Sequence, residues 1–258
     1  MGQVRKGLPR LLDDGRGMFV QTKAIVLGVS KYSDSARMVS TYTEKFGRVD
    51  FSVKISRTRK SSFSAAYFQP LTLLEVDFDY RQTREVHYMR ECKIVQPYCN
   101  MPYDAVKNSL SYFLAEVMQK TLRTQEQNIP LFSYLEESLC FLDATGERCA
   151  NFHLLFMLGL CGYLGFAPNT EGYSEGCFFD MQAGCFTSQA GLHQDMFSED
   201  DSKLLNDLLR IGFFEMHLLK MTAVQRNAML RNLLRYYQIH LQGIGEFKTL
   251  SVLEMLFR

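Results

Sequence analysis

The sequence predicts an α+β chain, a five-stranded β-barrel followed by a helical region that carries a small β-hairpin insertion. Three observations predict it. Apolar residues recur at every second position up to about Tyr98, and at every third and fourth position after Gln96-Pro97. The helical period then lapses between residues 167 and 197, where Gly172, Gly176, Gly184 and Gly191 punctuate the chain. With 258 residues, 47% of them apolar, the protein has the mass for a packed core.

The clearest strand is 49–55, where Val49, Phe51, Val53 and Ile55 alternate with Asp50, Ser52 and Lys54. A two-residue repeat puts the apolar side chains on one face and turns Lys54 to the other. Similar runs at 22–29, 38–43, 71–78 and 86–95 are separated by Ser/Asp, Phe46-Gly47, Ser-rich and Arg-Gln turn signals. Five short strands suit a small barrel better than a sandwich, and that size is usual for an oligonucleotide-binding (OB) fold.

Helices are expected at 106–118, 131–142, 147–164, 202–220, 223–241 and 250–257. In the first, Val106, Leu110, Phe113, Leu114, Val117 and Met118 form a core-facing stripe. Ser198 followed by Glu199, Asp200 and Asp201 marks a helix start, because the serine oxygen can cap free N–H groups and the carboxylates face the positive end of the dipole. Within the insertion, 177–180 and 184–187 are expected to pair as a hairpin. The organisation expected is a disordered leader over 1–17 with Met18 as the start, a barrel domain over 18–98, and a helical domain over 99–258 with its insertion at 167–197.

The formal net charge of +1 is an average over unlike parts. Residues 18–98 hold 13 Lys+Arg against 8 Asp+Glu, a surplus of +5, whereas 99–258 hold 12 against 18, a balance of −6. Such asymmetry points to a polyanion or membrane surface in one half. A membrane span is not expected: the continuously apolar stretch 154–166 has 13 residues where about 20 are needed, and a buried helix fits it better. The N-terminus has basic residues but no apolar segment of a secretory signal, and the seven cysteines include no CxxC pair, so reduced thiols in a cytoplasm are expected.

The strongest chemical signal is Lys54-Ile-Ser-Arg57-Thr-Arg59-Lys60, four cations in seven residues leaving a strand for a loop. A solvated charged loop is the plain alternative. Its position on the polar face that begins at Lys54 favours a phosphate-binding site, to which Lys31, Arg37, Arg48 and Arg81 would contribute. Rings interleaved with these cations, Tyr32, Tyr42, Phe46, Tyr67 and Tyr80, either belong to the core or stack on unpaired bases.

An ordered series of segments then resembles the bacterial recombination mediator family RecO. It runs Lys23-Ala-Ile-Val-Leu27, Tyr32-Ser-Asp-Ser-Ala36, Val39-Ser-Thr-Tyr-Thr43, Phe46-Gly-Arg48, the basic loop with Ser61-Ser62, and Phe68-Gln-Pro-Leu71. It continues through Leu114-Ala-Glu116 and Glu126-Gln-Asn128 to 226–241 and Leu250-Ser-Val-Leu253. The resemblance implies an N-terminal OB-fold and a helical domain, binding of single- and double-stranded DNA, and annealing of complementary strands. It further implies work with RecR, and often RecF, to load RecA onto gaps coated by single-stranded-DNA-binding protein (SSB), whose acidic C-terminal tail the family contacts. A nucleoid-associated cytoplasmic protein in DNA repair, with no cofactor and no membrane partner, is the expectation. An RNA- or ribosome-associated OB-fold protein is the alternative.

Many members of that family carry two CxxC pairs as a zinc module in the insertion, and this chain has none. Cys177 and Cys185 facing one another across the hairpin, with Cys161 and His193, would be a residual zinc set; two ordinary thiols are preferred. For the acidic tail, Arg226, Arg231 and Arg235 beside Leu230, Leu234, Tyr236 and Tyr237 are weak candidates. No P-loop, GxSxG, HExxH or GxGxxG occurs, and no enzyme is expected. A thiol enzyme using Cys149 and His153, four apart on an expected helix, is the rival from that class.

Overall fold

The computed structural model describes residues 17–34, 36–54, 63–146, 149–191 and 193–256. The leader up to residue 16 and the basic-run residues Arg57, Arg59 and Lys60 lie outside the described residues.

Five strands, β1 (Met18–Lys31), β2 (Arg37–Thr43), β3 (Gly47–Val53), β4 (Leu73–Tyr80) and β5 (Val86–Ile94), close into a barrel in the order β1-β2-β3-β5-β4. Four of the five junctions are antiparallel; the fifth is the parallel pairing of β3 with β5, where Asp50, Phe51 and Ser52 register with Val86, His87 and Tyr88. This is the expected α+β architecture with an OB-like barrel. β1 is 14 residues long and serves two partners, β4 along Met18–Ile25 and β2 along Ala24–Lys31, with a bulge between Val26 and Gly28. Long, bent strands of this kind let a small sheet close on itself.

Alternation fills the barrel as expected. Val49, Phe51 and Val53 are buried with Val26, Val39, Val76 and Phe78, and Phe63 and Phe68 from the β3–β4 connection join the same cluster. A second, larger core lies among the helices and reaches the outside of the barrel through Ile25, Leu27, Tyr42, Leu71 and Leu73.

Helix α1 (Ala105–Thr121) starts at Asp104, whose side chain accepts the Lys107 N–H, and buries its predicted stripe against β1. Helix α2 (Ile129–Ala144) is capped by Asn128. Helix α3 (Phe152–Leu164) is the charge-free stretch: it is buried on almost every side and ends at Gly165, in the left-handed region at φ +85°. No helix among the described residues is long and apolar enough to cross a membrane.

Helix α4 (Glu199–Leu209) begins at Ser198, whose hydroxyl accepts the Asp201 N–H, but it stops eleven residues before the expected 220. There the Glu215 carboxylate takes the Gly212 N–H and the chain runs on through turns. Helix α5 (Ala223–His240) restarts with a capping box between Thr222 and Gln225, and α6 (Leu250–Leu256) follows. The expected hairpin forms from β6 (Phe178–Asp180) and β7 (Cys185–Thr187), and a two-residue strand, β8 (Met196–Phe197), adds an edge that periodicity is too short to reveal.

Candidate nucleic-acid interface

Strand direction sorts the predicted cations. β1, β3 and β5 finish, and β2 and β4 begin, at one rim of the barrel. Lys31 at the end of β1 registers with Arg37 at the start of β2, and Arg37 registers with Val53, the residue before Lys54. Lys31, Arg37 and Lys54, at the ends of three adjacent strands, therefore meet at this rim, all exposed. Lys31 reaches the fully exposed Asp34 at 3.1 Å, a surface pair that a phosphate can replace at little cost.

Arg81 is placed elsewhere, on the β4–β5 connection at the opposite rim, beside Met18 and the β2–β3 hairpin. That rim is closed by rings: Phe46 stacks on Tyr80 at 4.1 Å, and Tyr80 lies parallel to His87 at 5.4 Å. His87 Nε2 lies 3.3 Å from the Arg81 amide nitrogen, so the loop is tied to the buried imidazole.

Arg48 serves a different purpose from the one expected of it. Its guanidinium pairs with Asp50 at 3.0 Å and donates to the carbonyls of Gln119 (3.3 Å) and Leu122 (3.5 Å), while its own amide donates to Thr124 O at 2.9 Å. It is a strut between the barrel and the end of α1. On the neighbouring β2, Tyr42 is buried in the core shared with the helices and Ser40 is also buried.

The rings sort likewise. Tyr42 is buried, and burial pushes its phenol up to about 12. Phe46, Tyr67 and Tyr80 pack against the barrel core, and Tyr32 stands exposed in the β1–β2 loop. Tyr88, missed in the sequence, is 65% exposed and registers with Ser52, two residues before Lys54. Its signal was the alternation of β5 itself, which turns Tyr88 outward once His87 points in.

The three helical arginines do not converge. A five-residue step turns a helix by roughly 140°, so Arg226 lies on a different face from Arg231 and Arg235. Arg226 is half-buried on Asn151 Oδ1 and Met221 O, both at 3.0 Å. Arg231 pairs with Glu254 at 2.6 Å and Arg235 with Asp195 at 2.8 Å, and the flanking Leu230, Leu234, Tyr236 and Tyr237 are core. The expected slot is filled.

The zinc set does not fit a metal. The hairpin register pairs Cys185 with Asp180, three residues from Cys177, so the two thiols do not face one another. Cys161 is buried beside Tyr237, with its thiol pushed up to about 12 by burial, and His193 lies 3.4 Å from Asp180. Among the described residues, no three His, Cys, Asp or Glu side chains gather as a metal site. The Cys149–His153 pair is also unsuited to nucleophilic chemistry. Burial raises the Cys149 thiol and, with Arg226 nearby, lowers the His153 imidazole to about 3, so neither the thiolate nor its cationic partner is favoured.

Comparison with known proteins decides the family. The model of the recombination protein O N-terminal region matches residues 18–98, and that of its C-terminal region matches 102–250. The chain belongs to the RecO family. A DNA repair protein RecO of Phocaeicola vulgatus is 39% identical over 240 residues, covering 93% of this chain and 100% of its own length. RecO proteins of Bacteroides fragilis (37% over 241 residues) and Christiangramia forsetii (36% over 247 residues) have the same coverage. Within this RecO chain, the hairpin has an aromatic core: Phe179 packs edge-on against Phe186 and Phe197 at 5.2 and 5.3 Å. Apolar packing holds the insertion in place.

Proposed function

We propose that this protein is a non-enzymatic recombination mediator that holds DNA at the barrel rim defined by Lys31, Arg37 and Lys54. The carrying observation is the register that brings these three cations together at the root of the basic run. Arg57, Arg59 and Lys60, which follow Lys54 in the sequence, are offered as further phosphate contacts, and Arg81 and Arg84 at the far rim as a second, separate contact. Arg48 is left out, because its donors are spent on the helix junction.

On this reading the barrel, 18–98, takes single- and double-stranded DNA through phosphates and unstacked bases, and anneals complementary strands. The helical region, 99–258, takes the protein partners: RecR, with RecF, and the acidic SSB tail, towards loading RecA. Arg231 and Arg235, exposed and in replaceable surface pairs, are the cations offered to that tail. The setting is the cytoplasm, at the nucleoid.

The test is an affinity series in salt. Log Kd for a single strand should rise with log salt by roughly 0.7 per phosphate engaged. Changing Lys31, Arg37 and Lys54 together to Glu should weaken binding more than tenfold and remove about two units of slope. An unchanged slope would dismiss the rim. Equal affinity for RNA and DNA, with no annealing of SSB-coated strands, would favour an RNA-binding role instead.

A further inference from the structure

A groove of about 420 Å³ opens where the barrel meets α1. Its walls come from the β3–β4 connection (Gln69, Pro70), the exit of β5 (Gln96, Pro97) and the start of α1 (Pro102, Tyr103, Asn108, Tyr112). None of its lining residues is Asp, Glu, Lys or Arg. Tyr103 is 85% exposed and Tyr112 49%, a large solvent cost for two rings that the fold does not use as core.

The groove opens towards the same end of the barrel as the cations. Thr72, before β4, and Gln96, after β5, line it, and Thr72 O accepts the Val26 N–H at 3.0 Å, so the groove lies along β1 on the approach to its Lys31 end. The 3-10 turn Ala65–Phe68, which leads into the groove wall, is on the chain that returns from the basic run. Neutral, ring-bearing walls beside a cationic track are what a single strand needs: phosphates on the cations, a base out of the stack.

The amides suit a base edge. Asn108 donates Nδ2 to Pro102 O at 3.2 Å, which fixes the side chain while leaving its oxygen as an acceptor. Gln96 Oε1 accepts the Cys140 thiol at 3.7 Å, which leaves two N–H donors. Such amides match the donor and acceptor pairs of base edges. The walls are set in advance, since Tyr98 O–H donates to Leu71 O at 3.1 Å across them, and Pro70, Pro97 and Pro102 restrict the backbone.

We propose that this groove holds an unstacked nucleobase of the single strand whose phosphates lie on the Lys31–Arg37–Lys54 rim, with Tyr103 and Tyr112 as stacking rings and Gln69, Gln96 and Asn108 on the base edge. The proposal rests on the DNA-binding reading above, and it adds a base-selective contact to a phosphate-selective one.

The experiment uses the full chain with Tyr103→Leu, Tyr112→Leu and the double variant, on a mixed-sequence single strand, the matching duplex and an abasic strand of equal length. Affinity of the double variant for the single strand should fall roughly five- to a hundredfold, the range one stacked base supplies. Its affinity for duplex and abasic strands, and its salt slope, should stay as in the unaltered protein. A 2-aminopurine base in the strand should be quenched on binding, and less so by the variant. Unchanged single-strand affinity, or an equal loss on the abasic strand, would overturn the groove while leaving the rim standing. Failure of the unaltered protein to bind any of the three at low salt would overturn both. Tyr103→Leu alone, at so exposed a site, keeps the test valid if the double variant unfolds.

Discussion

The Lys107 ammonium donates to the main-chain oxygen of Asp143 at 2.8 Å, and both side chains are buried. The Asp143 carboxylate in turn accepts three successive amides, Cys99 (2.9 Å), Asn100 (2.8 Å) and Met101 (2.7 Å). The chain leaving the barrel is thereby clamped to the end of α2. Burial pushes this carboxyl up, but the three N–H groups and Lys107 hold it below its ordinary value.

Asp143→Ala should therefore destabilise the protein by about 3 kcal/mol, since hydrogen bonds to a charged group are worth about 1.5–3 kcal/mol and buried amides lose their acceptor. Chemical denaturation measures it. An effect under about 1 kcal/mol would mean that the linker is held by other contacts. Because the native pKa is depressed, this contribution is present above about pH 4 and fades as pH falls through the native value.

Arg48 and Lys54 lie on the same face of β3 and should fail differently. Arg48→Ala strands the Asp50 carboxylate and the carbonyls of Gln119 and Leu122, at a cost of about 1–3 kcal/mol in stability with little change in salt slope. Lys54→Ala should leave the melting temperature within a few degrees and lower the slope. Thermal melts alongside salt titrations separate the two. A shared loss of slope would return Arg48 to the interface.

Gly47 begins β3 at φ +61°, where a Cβ would stand 2.5 Å from Glu126 O and 2.6 Å from Thr124 O. Gly47→Ala therefore carries both left-handed strain and a backbone collision, and should cost at least about 2 kcal/mol or yield insoluble protein. Expression yield and denaturant midpoint report it. A variant as stable as the parent would show that residues 124–126 can move away from the barrel.

These outcomes also mark what the sequence carries. Alternation in 49–53 and the stripe of α1 state which side chains are inside, because burial imposes the period directly. The gathering of Lys31, Arg37 and Lys54 depends on pairing partners far apart in the chain, and the parallel β3–β5 junction has no local signature. Arg48 reads as another exposed cation because the residues that share its face of β3, Asp50 and Ser52, are polar. What removes it is the end of α1, more than seventy residues away. The break at Gly212 hid inside a run of apolar residues that stayed rich in helix formers.

His153 gives the protein a pH limit. It is fully buried, lies edge-on to Phe113 at 6.0 Å, and its pKa is lowered to about 3 by burial, with Arg226 adding to the effect. In the unfolded chain the same imidazole protonates near 6.5. Above that value neither state binds the proton and stability is indifferent to pH. Below it the unfolded state gains a proton that the native state refuses, so stability falls by up to about 1.4 kcal/mol per pH unit down to the native value. His87, also lowered by burial, adds a smaller share over the same window. The carboxylates with depressed values, Glu116 and Asp143, act only near and below their ordinary range, which leaves pH 6.5 to about 4.5 to the histidines. His153→Leu should therefore flatten unfolding free energy across that window by close to one proton, whatever it costs at neutral pH. Urea midpoints at half-unit steps measure the slope. A parent-like slope in the variant would mean that the native protein accepts a proton at His153.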